Sequence, residues 1–108
     1  MTAAELPTVS VTDVGDDYLV DVREQDEWDA GHAPQAVHVP LSELAARAGE
    51  VPTDRPVSII CKAGGRSAQA TAHLLGQGSQ VRNVAGGMLA WQQAGLPMEA
   101  SSGSPTVV

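Results

Sequence analysis

Pro56-Val57-Ser58-Ile59-Ile60-Cys61-Lys62-Ala63-Gly64-Gly65-Arg66-Ser67 passes from a β-branched run to a lone sulfur, then to residues with almost no side chain, then to a guanidinium. The first five residues read as a central strand that runs directly into Cys61. Ala63, Gly64 and Gly65 allow the chain to curl with its N–H groups turned inward, a nest that suits an anion. From Arg66 to Leu75, Ala68, Ala72 and Leu75 recur at i, i+4 and i+7, a helical stripe closed by Gly76 and Gly78. The start of that helix adds unpaired N–H groups and the positive end of its dipole to the same spot. A thiol held there has a depressed pKa, so more of it is the nucleophilic thiolate.

Working outward, the remaining pieces are short and alternate in type. Thr8-Val9-Ser10-Val11 and Tyr18 to Val22 read as strands separated by a turn at Gly15-Asp16-Asp17. Glu24 to Ala30 forms about two helical turns ending at Gly31, and Val37-His38-Val39 is a brief strand stopped by Pro40. Ser42 is the expected N-cap for a helix over Glu43 to Ala48. Gln80 to Val84 reads as a further strand, and Gly87 to Ala94 as a last helix ended by Gly95 and Pro97. This alternation implies an α/β fold: a central parallel sheet of about five short strands with helices on both faces. In such folds the reactive site lies beyond the carboxyl ends of the strands.

Length and composition agree with one modest core. The chain has 108 residues, 43% of them apolar, with 16 Ala and 13 Val but no Phe, so Trp28, Trp91 and Tyr18 are its large rings. A net charge of −7 disfavours nucleic acid and anionic membrane as partners. The charge is uneven: residues 55–98 hold no acid and four bases, Arg55, Lys62, Arg66 and Arg82. Lys62 is the sole lysine and neighbours the sole cysteine. One cysteine makes neither an internal disulfide nor a thiolate metal cluster, so no metal is expected. No apolar run is long enough for a membrane helix, and the start lacks the pattern of a secretory signal, which makes the cytoplasm the expected compartment.

Four stretches, in order, resemble the single-domain rhodaneses, a sulfurtransferase family. These are Asp21-Val22-Arg23-Glu24; Glu27 to Ala33 with Ala36 to Pro40; Cys61 to Ser67; and Gly86-Gly87-Met88-Leu89-Ala90-Trp91 with Gly95-Leu96-Pro97. The resemblance implies a rhodanese-like domain over residues 8–97, after a short segment at 1–7 and before a Ser/Gly/Pro-rich flexible tail at 98–108. It implies that Cys61 carries a persulfide without a cofactor, and that Lys62, Ala63, Gly64, Gly65, Arg66 and Ser67 hold a small anionic donor such as thiosulfate. Cyanide or a thiol would then take the sulfur, and the oligomeric state is left open. Ala33 and Ala36 stand where the family often has Ile and Gly, and Gly64-Gly65 adds a glycine to the loop. Phosphatases of similar loop carry Cys-x5-Arg, whereas Cys61 and Arg66 enclose four residues, which favours sulfur over phosphate and disfavours an arsenate reductase. A persulfide carrier or interaction module is the other reading.

Other residues have plainer roles. Asp21 and Arg23 either line the pocket or pair as supports, Arg23 having Asp26 and Glu27 three and four residues on. His32, His38 and His73 are expected at the surface or as caps, Trp28 and Trp91 as core rings, and Ser67 either at the sulfur or as a cap.

Overall fold

The computed structural model describes residues 6–108. Its strands are β1 (Thr8–Val9), β2 (Tyr18–Asp21), β3 (Val37–His38), β4 (Val57–Ile60) and β5 (Val81–Val84). Its α-helices are α1 (Gln25–Ala30), α2 (Leu44–Arg47), α3 (Gly65–Leu75) and α4 (Gly87–Gln93). The strands form one sheet in the order β1-β5-β4-β2-β3, and every pairing is parallel. Val20 pairs with Ile59 and Asp21 with Ile60, so β2 and β4 end together, with Val22 and Cys61 next in each chain direction.

Alternation along the strands divides the apolar side chains between two cores. Val20, Val57, Ile59 and Val81 meet Leu44, Ala70 and Leu74 from α2 and α3. Leu19, Ile60 and Val84 meet Met88 and Trp91 from α4 on the opposite face. Each buried Val, Leu or Ile stabilises by about 1.5–3 kcal/mol. The lack of Phe is met by Leu44, Leu74, Met88 and Trp91 of the helices packing on a Val/Ile sheet.

The local signals account for most ends. Glu24 and Glu27 close α1 with a reciprocal capping box. Ser42, in contrast, makes no cap bond. Pro40 opens a 3-10 turn over Leu41–Glu43, and α2 is a single turn that passes into another 3-10 turn at Ala48–Glu50. The first strand is likewise shorter than expected, because Val11–Asp13 turns as a 3-10 helix.

The tail departs from the expected flexible segment. Glu99 and His32 exchange two backbone hydrogen bonds of 2.9 Å, Ser101 N–H donates to Asp29, and Thr106 N–H donates to Ala30. Met98 and Val107 pack on the second core. The carbonyls that end α1 have no further helical partner, and the tail supplies the missing donors. Gly31 is extended (φ 172°), so it is required for space: a Cβ there would lie 2.8 Å from the Thr106 nitrogen.

Of the histidines, expected at the surface or as caps, two stack on a ring. Trp28 stacks with His32, 3.6 Å away, and with His38, 4.7 Å away, both rings nearly parallel to it. His32 is only 8% exposed and binds the Trp28 carbonyl through Nδ1, which makes it a cap on α1. His73 is exposed and meets Gln77. Trp91 is a core ring, whereas Trp28 is only half-buried.

Candidate active site

Cys61 follows the last residue of β4, where the sheet hands the chain to the loop. It is 1% exposed and belongs to the first core, yet two polar groups of the loop reach its sulfur. Gly64 N–H donates to Sγ at 3.1 Å, and the Ser67 hydroxyl lies 3.2 Å from it. Burial pushes the thiol up. The Ser67 hydroxyl and the N–H groups of Ser67, Gly64 and Ala63 outweigh that cost and hold it below its ordinary value.

The loop is held in that curl from two sides. Gly64 adopts φ 116°, a left-handed conformation in which a side chain is strained. Its carbonyl accepts Ala68 N–H at 3.1 Å, the first bond of α3, and the Asn83 amide at 3.3 Å. On the other side, the start of α4 clamps the loop backbone. Met88 N–H donates to the Cys61 carbonyl at 2.8 Å, and Leu89 N–H donates to the Lys62 carbonyl at 3.0 Å. Gly87 makes this approach possible. It has φ 55°, and a Cβ there would fall 2.6 Å from the Lys62 carbonyl oxygen and closer still to that of Cys61.

Charged groups are arranged in pairs behind the loop. Arg66 makes a two-pronged contact with Glu27, at 2.6 and 2.9 Å, and so ties α3 to α1. Arg23 is fully buried and grips Asp21 through Nε and Nη2, at 2.8–3.1 Å. Arg23 also donates to the Gly31 carbonyl at 2.7 Å and the Glu27 carbonyl at 3.3 Å, which fixes α1 to the end of β2. Arg23 thus pairs with Asp21 rather than with the Asp26 or Glu27 carboxylates, and the Asp21–Arg23 pair is a support.

Of the loop residues, Ala63 and Gly65 are exposed, Lys62, Gly64 and Arg66 are half-buried, and Ser67 is fully buried beneath the sulfur. Among the described residues Lys62 has no carboxylate within ion-pair distance. Glu27, Asn83 and the Gly86-Gly87 step complete the site. Glu27 lies 39 positions from its partner, so no local spacing reports the contact.

Residues 8–94 match the family described as Rhodanese-like domain. The chain belongs to that family. This rhodanese-like domain is 42% identical over 94 residues to a protein of Allochromatium vinosum named "Sulfurtransferase", covering 86% of this chain and 88% of that one. It is 35% identical over 85 residues to "Thiosulfate sulfurtransferase GlpE" of Vibrio cholerae, covering 78% of this chain and 80% of that one. Among solved structures, a rhodanese-related protein of Thermoplasma volcanium superposes with a TM-score of 0.82 at 28% identity, covering 86% of this chain and 97% of that one. No helix among the described residues is long and apolar enough to cross a membrane.

The donors around the rhodanese-like loop give a pH prediction. In Ser67→Ala the burial cost remains while one lowering group is lost, so the thiol pKa rises. Thiolate is the deprotonated form, hence the acidic limb of Cys61 alkylation by iodoacetamide moves to higher pH, with the rate above the limb little altered. A limb that stays in place removes Ser67 from the activation of the sulfur.

Proposed function

We propose that the chain is a sulfurtransferase that moves a sulfane sulfur from thiosulfate or a similar donor to cyanide or a thiol, through a persulfide on Cys61. The Cys61 thiolate attacks the outer sulfur of the donor; one S–S bond forms, the donor's S–S bond breaks, and its electron pair leaves on sulfite. The negative charge then sits on the terminal sulfur, and the N–H groups of residues 62–67 stabilise it as an oxyanion hole would. Attack by the acceptor on that sulfur restores the thiolate. Lys62 draws the anionic donor, with Arg66 beside it, and neither a metal nor an organic cofactor takes part.

The observation that carries this reading is the convergence of Gly64 N–H and the Ser67 hydroxyl on one sulfur, inside a loop too short for the phosphatase pattern. The names of the relatives support it. Exposure to thiosulfate alone is expected to add one sulfur atom to the intact mass, at Cys61, and addition of cyanide to release it as thiocyanate. An aryl phosphate offered in parallel is expected to remain intact. Hydrolysis of the phosphate with no sulfur gain reverses the assignment. Sulfur gain without turnover identifies a persulfide carrier instead.

A further inference from the structure

Three arginine or lysine side chains stand around the loop, and two of them are spoken for. Asp21 offsets Arg23 and Glu27 offsets Arg66, while Lys62 has no such partner among the described residues. Arg55 stacks over Tyr18 and Arg82 pairs with Asp17, both toward the opposite ends of the strands. The loop therefore presents one net positive charge rather than two. We propose that Glu27 sets the charge preference of the donor site: by neutralising Arg66 it disfavours dianionic donors such as thiosulfate relative to singly charged sulfane donors of the persulfide or thiosulfonate class.

Glu27 is placed for this before any donor arrives. Its Oε1 accepts the Glu24 N–H at 3.0 Å as well as Arg66, so the capping box of α1 fixes the carboxylate. The Arg66 hydrogen bond holds the Glu27 carboxyl at about 2 against the opposing effect of burial, so the carboxylate stays ionised across the working pH range. Its repulsion of a bound anion scales with that anion's charge. Whatever factor a single charge loses to Glu27, a double charge loses squared.

This inference rests on the sulfur-transfer reading, and the test separates the two. The rate constant for loading one sulfur onto Cys61 is measured by intact mass, without acceptor, for thiosulfate and for benzenethiosulfonate. The chemistry is the same for both, since the thiolate takes the outer sulfur and sulfite or benzenesulfinate leaves with the bonding pair. Glu27→Gln keeps an oxygen for Arg66 and the Glu24 N–H but removes the charge. Loading is expected to accelerate about 3-fold with benzenethiosulfonate and about 10-fold with thiosulfate, the square relation that Coulomb's law requires. Both gains should collapse toward unity near 1 M salt, where the screening length is about 3 Å. Glu27→Asp should keep a ratio between donors close to that of the parent.

Equal factors for the two donors, or slower loading by both at unchanged melting temperature, overturn the proposal and leave Glu27 a structural tie. Should Glu27→Gln fail to fold, Arg66→Gln supplies the converse arm. There the uncovered carboxylate is expected to slow thiosulfate by the square of the factor for benzenethiosulfonate, and equal slowing again overturns the proposal. Failure of the parent protein to gain sulfur from either donor overturns the sulfur-transfer reading itself, and this inference with it.

Discussion

Cys61→Ser is expected to abolish thiocyanate formation from thiosulfate and cyanide, by a factor on the order of 10⁴ or more, the scale on which a covalent nucleophile is lost. An alcohol in the same cradle stays protonated at neutral pH, because the donors that lower a thiol pKa leave a hydroxyl far from ionisation. It also has no stable way to store a sulfane sulfur. The cradle itself should survive, since Gly64 N–H and the Ser67 hydroxyl still find a hydrogen-bonding oxygen at the same side-chain position. The melting temperature is therefore expected to stay close to that of the parent, which separates a chemical loss from a folding loss. Turnover near the parent level in a well-folded Cys61→Ser protein would sink the covalent mechanism.

Asp21→Asn is expected to be the most damaging small change to the fold. Arg23 has no exposed surface, and among the described residues Asp21 is the carboxylate that pairs with it directly, the other contacts being carbonyls of Glu27 and Gly31. Removing one partner of a buried pair leaves an uncompensated charge and costs about 3–5 kcal/mol. Against the roughly 5–15 kcal/mol that holds a domain together, that is a large fraction. For a domain near 100 residues it corresponds to a fall in melting temperature of roughly 15–30 °C. Adding Arg23→Met to Asp21→Asn should recover part of the loss, because the orphaned charge is gone. Recovery stays incomplete, because the Gly31 and Glu27 carbonyls lose their donor. A fall of only a few degrees on Asp21→Asn, measured by calorimetry, contradicts this account.

What could be read in advance follows the range of each interaction. Val57 to Cys61 and the glycine-rich turn are contiguous, so strand, curl and helix start were all visible in one stretch. The same holds for α1, whose ends are marked by Glu24 and Gly31. Contacts across the fold were not. Arg66 and Glu27 meet only because α1 and α3 start from the ends of the neighbouring strands β2 and β4. At short range the choice of partner was the part left open: Arg23 takes Asp21, two residues back at the end of β2, over the helix-spaced acids that follow it. Ser42 had the chemistry of a cap, but Pro40 set the turn two residues earlier. The tail lacked a periodic apolar pattern, and its docking depends on open carbonyls of α1 and on the bare surface of Gly31, neither of which is written in residues 98–108 themselves.

The clasp that the Met88 and Leu89 N–H groups make on the carbonyls of Cys61 and Lys62, over the bare Gly87, has a practical consequence for protein engineering. A transplant of residues 61–67 onto a foreign sheet would carry over the reactive atom but not the brace that sets its bearing. Residues 86–89 must travel with them, so the smallest portable unit of this chemistry is two separate pieces of chain joined only through space.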